Sequence, residues 1–507
     1  MRRALLGLVG LILLPLPASA QQHGASGAVI ARLVDSLAAQ VVAAGLAPAL
    51  GVAVTMDGRA ILSKGYGMAD VTAEIPATNR TLWYLASTSK SFTGFGIALL
   101  ADRGVIRIDE PIMKLLPKVQ WNPAVHADSL TLGNFLAHTH HINDLAIVTT
   151  AAFTGEIPES RWPELIQLAG RNPSNDLIYS NFGYNVAAMV IDAKRPEGWR
   201  SFLAKNVYRP AGLNDTYTRV SGLESRRIAK PASLSSSGRY QTTPFFKTDR
   251  TMNSAGGHLS TLHDLARWTI VQMDSGIIDG KRAFPKSAVV LGQTLIAKQT
   301  VERSKKFAYF DREGWGSGLE IGSYEGERMI SRFGSYGETR SHLSFLPGRR
   351  IGVVAMSTGG LSVVTDLVAT LAYDLEAGRP NARDRAWARF DTLKTQLAGG
   401  LKSIARGDSV RATRQLQPLA HPLAQFTGSY SDPNYGTISF RLVDGKLQYR
   451  WGDVHGPVEI FDALKNQMRI EIAGSGSVLT FQFAEHGQAQ SVTAQGVTFV
   501  RNNRTDF

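Results

Sequence analysis

The chain has 507 residues, too many for one small hydrophobic core, and its 44% hydrophobic and 19% charged residues exclude a disordered chain. Its formal net charge of +13 comes without a basic run interleaved with aromatic residues, so nucleic-acid binding is not indicated. The sequence contains no cysteine, which excludes disulfides, thiol nucleophiles and thiolate metal sites.

Residues 1–20 have the pattern of a secretory signal. Arg2 and Arg3 supply the charged end, residues 4–14 the apolar run, and residues 18–20 the small-residue cleavage site. Because an exported chain without disulfides suits a bacterial periplasm, we expect a periplasmic or secreted protein. No later stretch reaches about 18 uninterrupted apolar residues, so no integral membrane span is predicted.

Helices and one hairpin are predicted in the first 200 residues. Asp57-Gly58 predicts the hairpin turn, between strands at residues 51–55 and 60–66. The predicted helices cover residues 30–44, 87–103, 130–138, 161–171 and 184–191.

Ser87 and Lys90 begin the second of these helices, three residues apart. That spacing places both side chains on one face, one turn apart. A serine hydroxyl needs a base within hydrogen-bond reach, and lysine can be that base when burial favours its neutral form. The S-x-x-K spacing is typical of serine acyl-transfer enzymes, although an N-cap serine beside a solvated lysine gives the same pattern.

Two further polar or glycine-rich segments precede helices. Tyr179-Ser180-Asn181 comes before the helix at 184–191, where Ser180 or Asn181 would be the N-cap. Residues 255–257, Ala-Gly-Gly, allow close backbone approach before a helix that begins near residue 260.

The remaining patterns predict a sheet and then a second domain. Strands at 318–321, 329–333, 340–346 and 351–357, followed by a helix at 363–376, predict an α+β domain with an antiparallel sheet flanked by helices and a helical subdomain. Residues 382–404 are helical and charged, and residues 407–422 have the composition of a linker. Short strands predict a small all-β barrel or sandwich, at residues 436–443, 447–451, 468–472, 478–483, 491–493 and 496–500.

In this order the segments resemble the serine β-lactamase-like hydrolases, which include class C β-lactamases, D-alanyl-D-alanine carboxypeptidases, D-aminopeptidases and related esterases. The resemblance covers roughly residues 30–375. The residues that carry it are Gly65-Tyr66-Gly67 with Ala69-Asp70, Ser87-Thr88-Ser89-Lys90, His138-Thr139, Tyr179-Ser180-Asn181-Phe182-Gly183-Tyr184-Asn185, Ala255-Gly256-Gly257 and the strand before Pro347.

This resemblance implies a role for each matching residue. Ser87 would be the acylated nucleophile, Lys90 would hold or take its proton, and Tyr179 would be the phenolate-like base. Asn181 would position the substrate amide and the Lys90 side chain. No metal and no organic cofactor is implied.

The family's Lys-Thr-Gly or His-x-Gly strand falls on Arg332-Phe333-Gly334 when counted back from Pro347. The backbone N–H groups of Ser87 and Ser335 would then form the oxyanion hole. Arg332 departs from the family pattern, because arginine keeps its proton; it can stabilise a phenolate or bind a carboxylate but cannot shuttle a proton.

A second departure is His138-Thr139-His140-His141, where the family has His-Thr-Ser-Gly. With Asp144 this cluster admits a metal site. No partner histidine has helical-pair spacing, however, and His138 belongs to the family's structural turn, so we predict no metal.

The C-terminal region resembles the lipocalin-like barrel appended to some members of this family. Its aromatic residues either line a substrate entrance or form the barrel's own core, which we favour; they are Tyr430, Tyr435, Tyr449 and Trp451. The predicted division is a signal at 1–20, a hydrolase domain at 21–380, a helical linker at 381–422 and a barrel at 423–507.

Together these features predict an exported serine hydrolase that acts through an acyl-enzyme on peptide or amide bonds. A carboxylesterase or a β-lactam hydrolase is the alternative within the family. A non-catalytic sensor, acylated or merely occupied by ligand, is the alternative from another class. The expected partner is a small peptide, amide or ester, and the oligomeric state stays open.

Overall fold

A sheet of nine antiparallel strands forms the centre of the larger part of the chain. The computed structural model describes residues 24–174, 177–300, 302, 309–485 and 487–502, and the signal predicted at residues 1–20 lies outside them. In spatial order the strands are Ala297–Lys298, Asp311–Trp315, Glu320–Tyr324, Glu327–Tyr336, Thr339–Leu346, Ile351–Ser357, Ala49–Met56, Arg59–Asp70 and Ile75–Pro76.

Early and late strands meet inside this sheet. Ala49–Met56 pairs on one side with Arg59–Asp70 and on the other with Ile351–Ser357. Asp57 and Gly58 join the first pair with φ values of 49° and 76°, the positive angles that a two-residue hairpin turn requires. The predicted antiparallel sheet is confirmed.

Helices cover both faces of the sheet, because alternate residues of each strand point to opposite sides. One face of Ala49–Met56 packs against Gly27–Ala43 and Val364–Glu376. The other face packs against Leu262–Met273. Lys90–Asp102, which we call the Ser87 helix because Ser87 lies in the turn before it, packs beyond that helix, with the Phe92 and Trp268 rings 4.8 Å apart. The sheet is therefore a buried layer, and the turn that precedes the Ser87 helix contacts it, since the Thr88 hydroxyl donates to the Arg332 carbonyl at 3.3 Å.

A helical subdomain lies beside the Ser87 helix. Its helices are short, and they are Ile112–Leu115, Leu132–Leu136, Leu145–Val148, Trp162–Ile166, Phe182–Lys194, Gly198–Leu203, Arg209–Ala211 and Lys286–Gly292. The helix expected at 130–138 ends early because His138 adopts φ 61°, outside the helical region.

The described residues of this domain also form three small antiparallel ladders. They are Trp83–Tyr84 with Leu259–Ser260, Ala232–Leu234 with Tyr240–Thr242, and Ile277–Ile278 with Lys281–Arg282. The first ladder brings the segment before Ser87 next to the glycines at 256 and 257.

One helix of 34 residues, Ala382–Gln415, connects this domain to the C-terminal one; we call it the long helix. The helix continues beyond the helical stretch expected at 382–404 to Gln415, within the helical linker predicted at 381–422. A glycine inside a helix, here Gly407, lowers the stability of the helix by about 1 kcal/mol relative to alanine. Contact between the end of the helix and the C-terminal domain offsets this loss. The Gln415 side chain exchanges hydrogen bonds with the Ile460 backbone at 3.3 and 3.2 Å.

The C-terminal domain is a second nine-stranded antiparallel sheet. Its two end strands follow one another along the chain, so the sheet is nearly closed into a barrel. In spatial order the strands are Val454–Pro457, Lys446–Trp451, Gly436–Val443, Gly428–Asp432, Val497–Asn502, Ala489–Ala494, Ser475–Phe483, Gln467–Ile472 and Glu459–Asp462. This confirms the predicted all-β barrel, but three strands were missed: Gly428–Asp432, Val454–Pro457 and Glu459–Asp462.

Aromatic side chains fill the barrel. Tyr430, Tyr449 and Trp451 are at most 1% exposed and belong to one core cluster with Phe440 and Phe481. They form the barrel's core and not a substrate entrance. Tyr435, by contrast, is half-buried and packs against both the barrel core and the core of the larger domain.

The barrel also docks directly on the larger domain. The Asp453 backbone N–H donates to the Thr154 carbonyl at 2.7 Å, and the Thr437 N–H donates to Glu156 Oε1 at 2.9 Å. Arg250 and Asp453 form an ion pair at 3.2 Å. In the part of the chain described, no helix combines the length and the apolar character that crossing a membrane requires.

Candidate active site

Ser87 lies in a tight turn at the start of its helix. Residues Ala86–Ser89 form a 3-10 turn that runs into Lys90–Asp102, and Ala86 adopts φ 46°. The strand Glu327–Tyr336, which we call the Arg332 strand, passes close by. A Cβ atom at Gly334 would come within 2.8 Å of the Ser87 nitrogen, so this approach requires glycine.

Lys90 is fully buried and lies against Ser87. Its Nζ lies 3.1 Å from Ser87 Oγ, 2.6 Å from Asn181 Oδ1 and 2.7 Å from the Ala255 carbonyl. The Ala-Gly-Gly segment therefore supplies a carbonyl that fixes this amine. Burial, helped by the charge of Arg332 and opposed by Tyr179, lowers the pKa of Lys90 to about 8.

Tyr179 also lies against Ser87. Its hydroxyl lies 2.6 Å from Ser87 Oγ, and Arg332 Nη2 donates to the same hydroxyl at 2.8 Å. Burial by itself would raise the pKa of Tyr179. The positive charges of Arg332 and Lys90, with the Ser87 hydrogen bond, outweigh burial and lower the pKa to about 8.

Ser87 Oγ thus lies within hydrogen-bond distance of two groups, one of which can take its proton once the Lys90–Tyr179 pair has lost a proton, at a pH of about 8. In that state either Lys90 is neutral and Tyr179 protonated, or Lys90 is an ammonium and Tyr179 a phenolate. Both distributions satisfy every hydrogen bond among the three groups. The arrangement can activate a serine for attack on a carbonyl, with a pKa close to the ambient pH on the accepting group.

Of the two residues expected at the N-cap, Asn181 holds that position before Phe182–Lys194, but its side chain makes no capping bond and accepts from Lys90 instead. The Ser180 hydroxyl, one residue earlier, accepts the Phe182 N–H at 2.9 Å.

Arg332 is 1% exposed and each of its guanidinium nitrogens already has an acceptor. Nε donates to the Ser87 carbonyl at 2.8 Å, and Nη1 donates to Glu320 Oε1 at 2.9 Å. Nη2 donates to the Tyr179 hydroxyl, so stabilising the phenol fits this geometry. The other expected role, binding a substrate carboxylate, stays a prediction.

Glu320 is a site residue that the sequence reasoning missed. It is 2% exposed, and its second carboxylate oxygen lies 3.0 Å from Arg312 Nη1. A signal existed: a glutamate between apolar neighbours in a predicted strand implies a buried cationic partner.

An open cleft of about 520 Å³ runs past these groups. It is lined by six of the seven predicted site residues, namely Ser87, Tyr179, Asn181, Arg332, Gly334 and Ser335. Lys90 lies behind Ser87. Ser335 borders the cleft as the oxyanion-hole prediction requires, and the roles of all seven residues stay predictions.

A second cavity of about 380 Å³ adjoins the cleft at the barrel boundary. The two spaces share Ser335 and Arg340, and the barrel contributes Ala473 and Gly474 to the second. The barrel therefore borders the approach to the cleft.

The histidine loop supports structure around Tyr179. The His138 ring packs 4.5 Å from the Tyr179 ring, and His140 Nδ1 accepts the Ile142 N–H at 3.1 Å. Burial raises the pKa of Asp144 to about 6, and this side chain accepts a hydrogen bond from Ser180. Among the described residues, no three His, Asp or Glu side chains come together as metal ligands.

Comparison with known proteins places the first domain in a family. The Beta-lactamase family profile matches residues 34–378. Penicillin-binding protein 4 of Amycolatopsis lactamdurans is 24% identical over 348 residues, which are 66% of this chain and 87% of that protein. Protein flp of Staphylococcus aureus (strain COL) is 22% identical over 255 residues, 48% of this chain and 48% of that protein.

Solved structures share the fold at lower identity. The octameric penicillin-binding protein homologue from Pyrococcus abyssi matches with a TM-score of 0.58 and 19% identity, over 92% of this chain and 99% of that chain. D-amino acid amidase from Ochrobactrum anthropi SV3 matches with a TM-score of 0.56 and 18% identity, over 71% of this chain and 99% of that chain.

Proposed function

The chain belongs to the beta-lactamase family, and on this premise we propose that it is an exported serine hydrolase that cleaves peptide or amide bonds through an acyl-enzyme. The observation that carries the proposal is the position of Ser87 Oγ, 3.1 Å from the Lys90 amine and 2.6 Å from the Tyr179 hydroxyl. Both neighbours have a pKa lowered to about 8, and Tyr179 is held by the fixed charge of Arg332.

The chemistry begins with attack of Ser87 Oγ on the substrate carbonyl while Tyr179 accepts the hydroxyl proton. The carbonyl oxygen becomes an oxyanion that the backbone N–H groups of Ser87 and Ser335 stabilise. Tyr179 returns the proton to the leaving amine, assisted by the Lys90 ammonium, and the acyl-serine ester remains. A water molecule then attacks the ester, Tyr179 takes its proton, and Ser87 regains its hydrogen as the acid leaves.

The leading substrate class is a short peptide or amide, including those built from D-residues. The fold shared with D-amino acid amidase supports an amide as the scissile group. We assign Arg340 to a substrate carboxylate, because it lies where the cleft meets the second cavity. The similarity to a penicillin-binding protein favours β-lactams as a second class of acylating compound.

The test is the intact mass of the protein after incubation with a fluorophosphonate. We expect one adduct on the parent and none on Ser87→Ala. Ser362→Ala is the matched control, because Ser362 lines the same cleft without a lysine or tyrosine partner in the described contacts, and it should label like the parent. A parent that stays unlabelled, or a Ser87→Ala variant that labels equally, would favour the non-catalytic sensor instead.

Turnover and export need separate measurements. Labelled protein that hydrolyses neither short peptides nor amides, but does hydrolyse simple esters, would move the proposal to the esterase. For export, N-terminal sequencing of the protein recovered from outside the cytoplasm should begin at Gln21; an intact Met1 there would contradict the signal.

A further inference from the structure

We infer that Glu320 is a positioning residue of this site, which holds Arg332 against Tyr179 and limits how far the Arg332 charge favours the phenolate. The inference rests on the proposed function for its catalytic meaning. The contacts that carry it concern only the protein's own side chains.

Three neighbouring strands place Arg312, Glu320 and Arg332 in contact, one after another. Glu320 pairs in register with Ser331, next to Arg332, and Arg312 lies on the strand beyond. Arg312 Nη1 and Glu320 Oε2 are 3.0 Å apart, and Arg332 Nη1 donates to Glu320 Oε1 at 2.9 Å. Charges therefore alternate from Arg312 through Glu320 and Arg332 to the Tyr179 hydroxyl.

Burial makes this line energetically important. Glu320 and Arg332 are 2% and 1% exposed, and Arg312 is only 12% exposed. Charges that water does not screen act on one another more strongly than surface pairs do. Without Glu320, the buried charge of Arg332 would favour the phenolate form of Tyr179 strongly. The Glu320 carboxylate opposes that effect and so determines how easily Tyr179 ionises.

Arginine at position 332 determines which groups of the site can transfer a proton. A lysine or histidine in its place could lose its proton and take part in the transfer, whereas the guanidinium stays charged throughout. Its rigid fork also fixes the geometry, because separate nitrogens hold Ser87, Glu320 and Tyr179 at once. Proton movement is thereby confined to Ser87, Tyr179 and Lys90.

The other titratable or charged groups that face Tyr179 come from different elements. Lys90 Nζ lies 5.2 Å from the Tyr179 ring centre, and the His138 ring lies 4.5 Å away. Burial raises the pKa of Tyr184, which therefore stays a neutral phenol. Glu320 acts on Lys90 in the same direction as on Tyr179, because its negative charge raises the pKa of Lys90.

The experiment follows the ionisation of Tyr179 itself, by ultraviolet difference titration of each protein against its own Tyr179→Phe form. Glu320→Gln keeps an acceptor for Arg332 but removes the negative charge. We expect the midpoint of Tyr179 to fall by about one pH unit, the size of effect of a nearby unit charge. Arg312 lies nearer solvent than Arg332. Arg312→Gln removes a positive charge that offsets Glu320, so the midpoint of Tyr179 ionisation should rise.

Glu327→Gln is the matched control. Glu327 begins the Arg332 strand and pairs with two arginines outside the sheet, Arg349 and Arg379, and its substitution should leave the midpoint unchanged. An unchanged or raised midpoint in Glu320→Gln would overturn the inference, as would an Arg312→Gln midpoint that falls. Because the titration needs no turnover, failure of the proposed function shows separately, as absence of fluorophosphonate labelling on the parent.

Discussion

The two nine-stranded sheets of this protein bury very different side chains. In the larger domain, Lys90, Arg332 and Glu320 are at most 2% exposed; the two strand residues, Arg332 and Glu320, line an open cleft, and Lys90 lies behind Ser87. Among the described residues of the barrel, 428–485 and 487–502, the buried polar side chains are serines only, Ser429, Ser439 and Ser477, and aromatic rings fill the interior.

The difference shows what each region contributes. Buried charges add little net stability even when they are paired, because desolvation offsets their attraction, so the cleft depends on its surroundings. The described residues of the barrel include no buried charged side chain, so apolar burial is the main source of stability in its core. Substitutions at buried positions should therefore change chemistry in one region and stability in the other.

The largest effect is expected from Tyr179→Phe. Without the phenol, labelling of Ser87 should slow by about 10²–10⁴-fold, the usual contribution of a general base. In the parent, Tyr179 is protonated below its pKa of about 8 and cannot accept the serine proton. The parent's labelling rate should therefore rise with pH up to about 8, and Tyr179→Phe should lose that rise.

Tyr184→Phe is the control for this variant. The Tyr184 hydroxyl accepts the Gly318 N–H and donates to the Leu136 carbonyl, both at structural positions. It should keep the pH profile of the parent, and a profile that changed equally in both variants would argue against Tyr179 as the base.

Next in size is a pair of core substitutions, one in each region. Phe481→Ala in the barrel and Phe92→Ala in the Ser87 helix each remove a buried ring and should lower the free energy of unfolding by about 3–5 kcal/mol. Denaturant unfolding measures that loss. Only Phe92→Ala should also slow labelling of the remaining folded protein, because Phe92 lies two residues from Lys90. Equal slowing in Phe481→Ala would show that the barrel core and the cleft are coupled.

The smallest effect is expected where the regions meet. Asp453→Ala removes the ion pair with Arg250 and the acceptor for Thr248, and should lower the free energy of unfolding by about 1 kcal/mol or less. A small fall in the midpoint of thermal unfolding would show this loss. Asp408→Ala loses an exposed pair with Arg411 on the long helix and should lower that midpoint less. If both variants unfold like the parent, the docking contact adds no stability.

Local patterns made much of this structure predictable. Asp57-Gly58 predicts a hairpin turn from its sequence alone. The motifs also identified four residues that the fold brings together, namely Ser87, Lys90, Tyr179 and Asn181. The apolar neighbours of Glu320 indicate that it is buried with a cation, but they do not identify Arg332 as its partner, because Arg332 lies on another strand. The strand Gly428–Asp432 lacks a strong alternating pattern, and the end of the long helix depends on Gln415 meeting Ile460, which only the folded barrel supplies.

The long helix has a mechanical consequence. At 34 residues it spans about 50 Å, and its first half is anchored by Phe390 and Leu393 in the larger domain. The barrel also contacts Glu156 and Thr154, so it is attached to the larger domain in two places, through the long helix and through the docking contact. A protease that cuts the chain near the exposed Gly399 would remove only the attachment through the helix. The two fragments would then stay associated until a denaturant broke the docking contact.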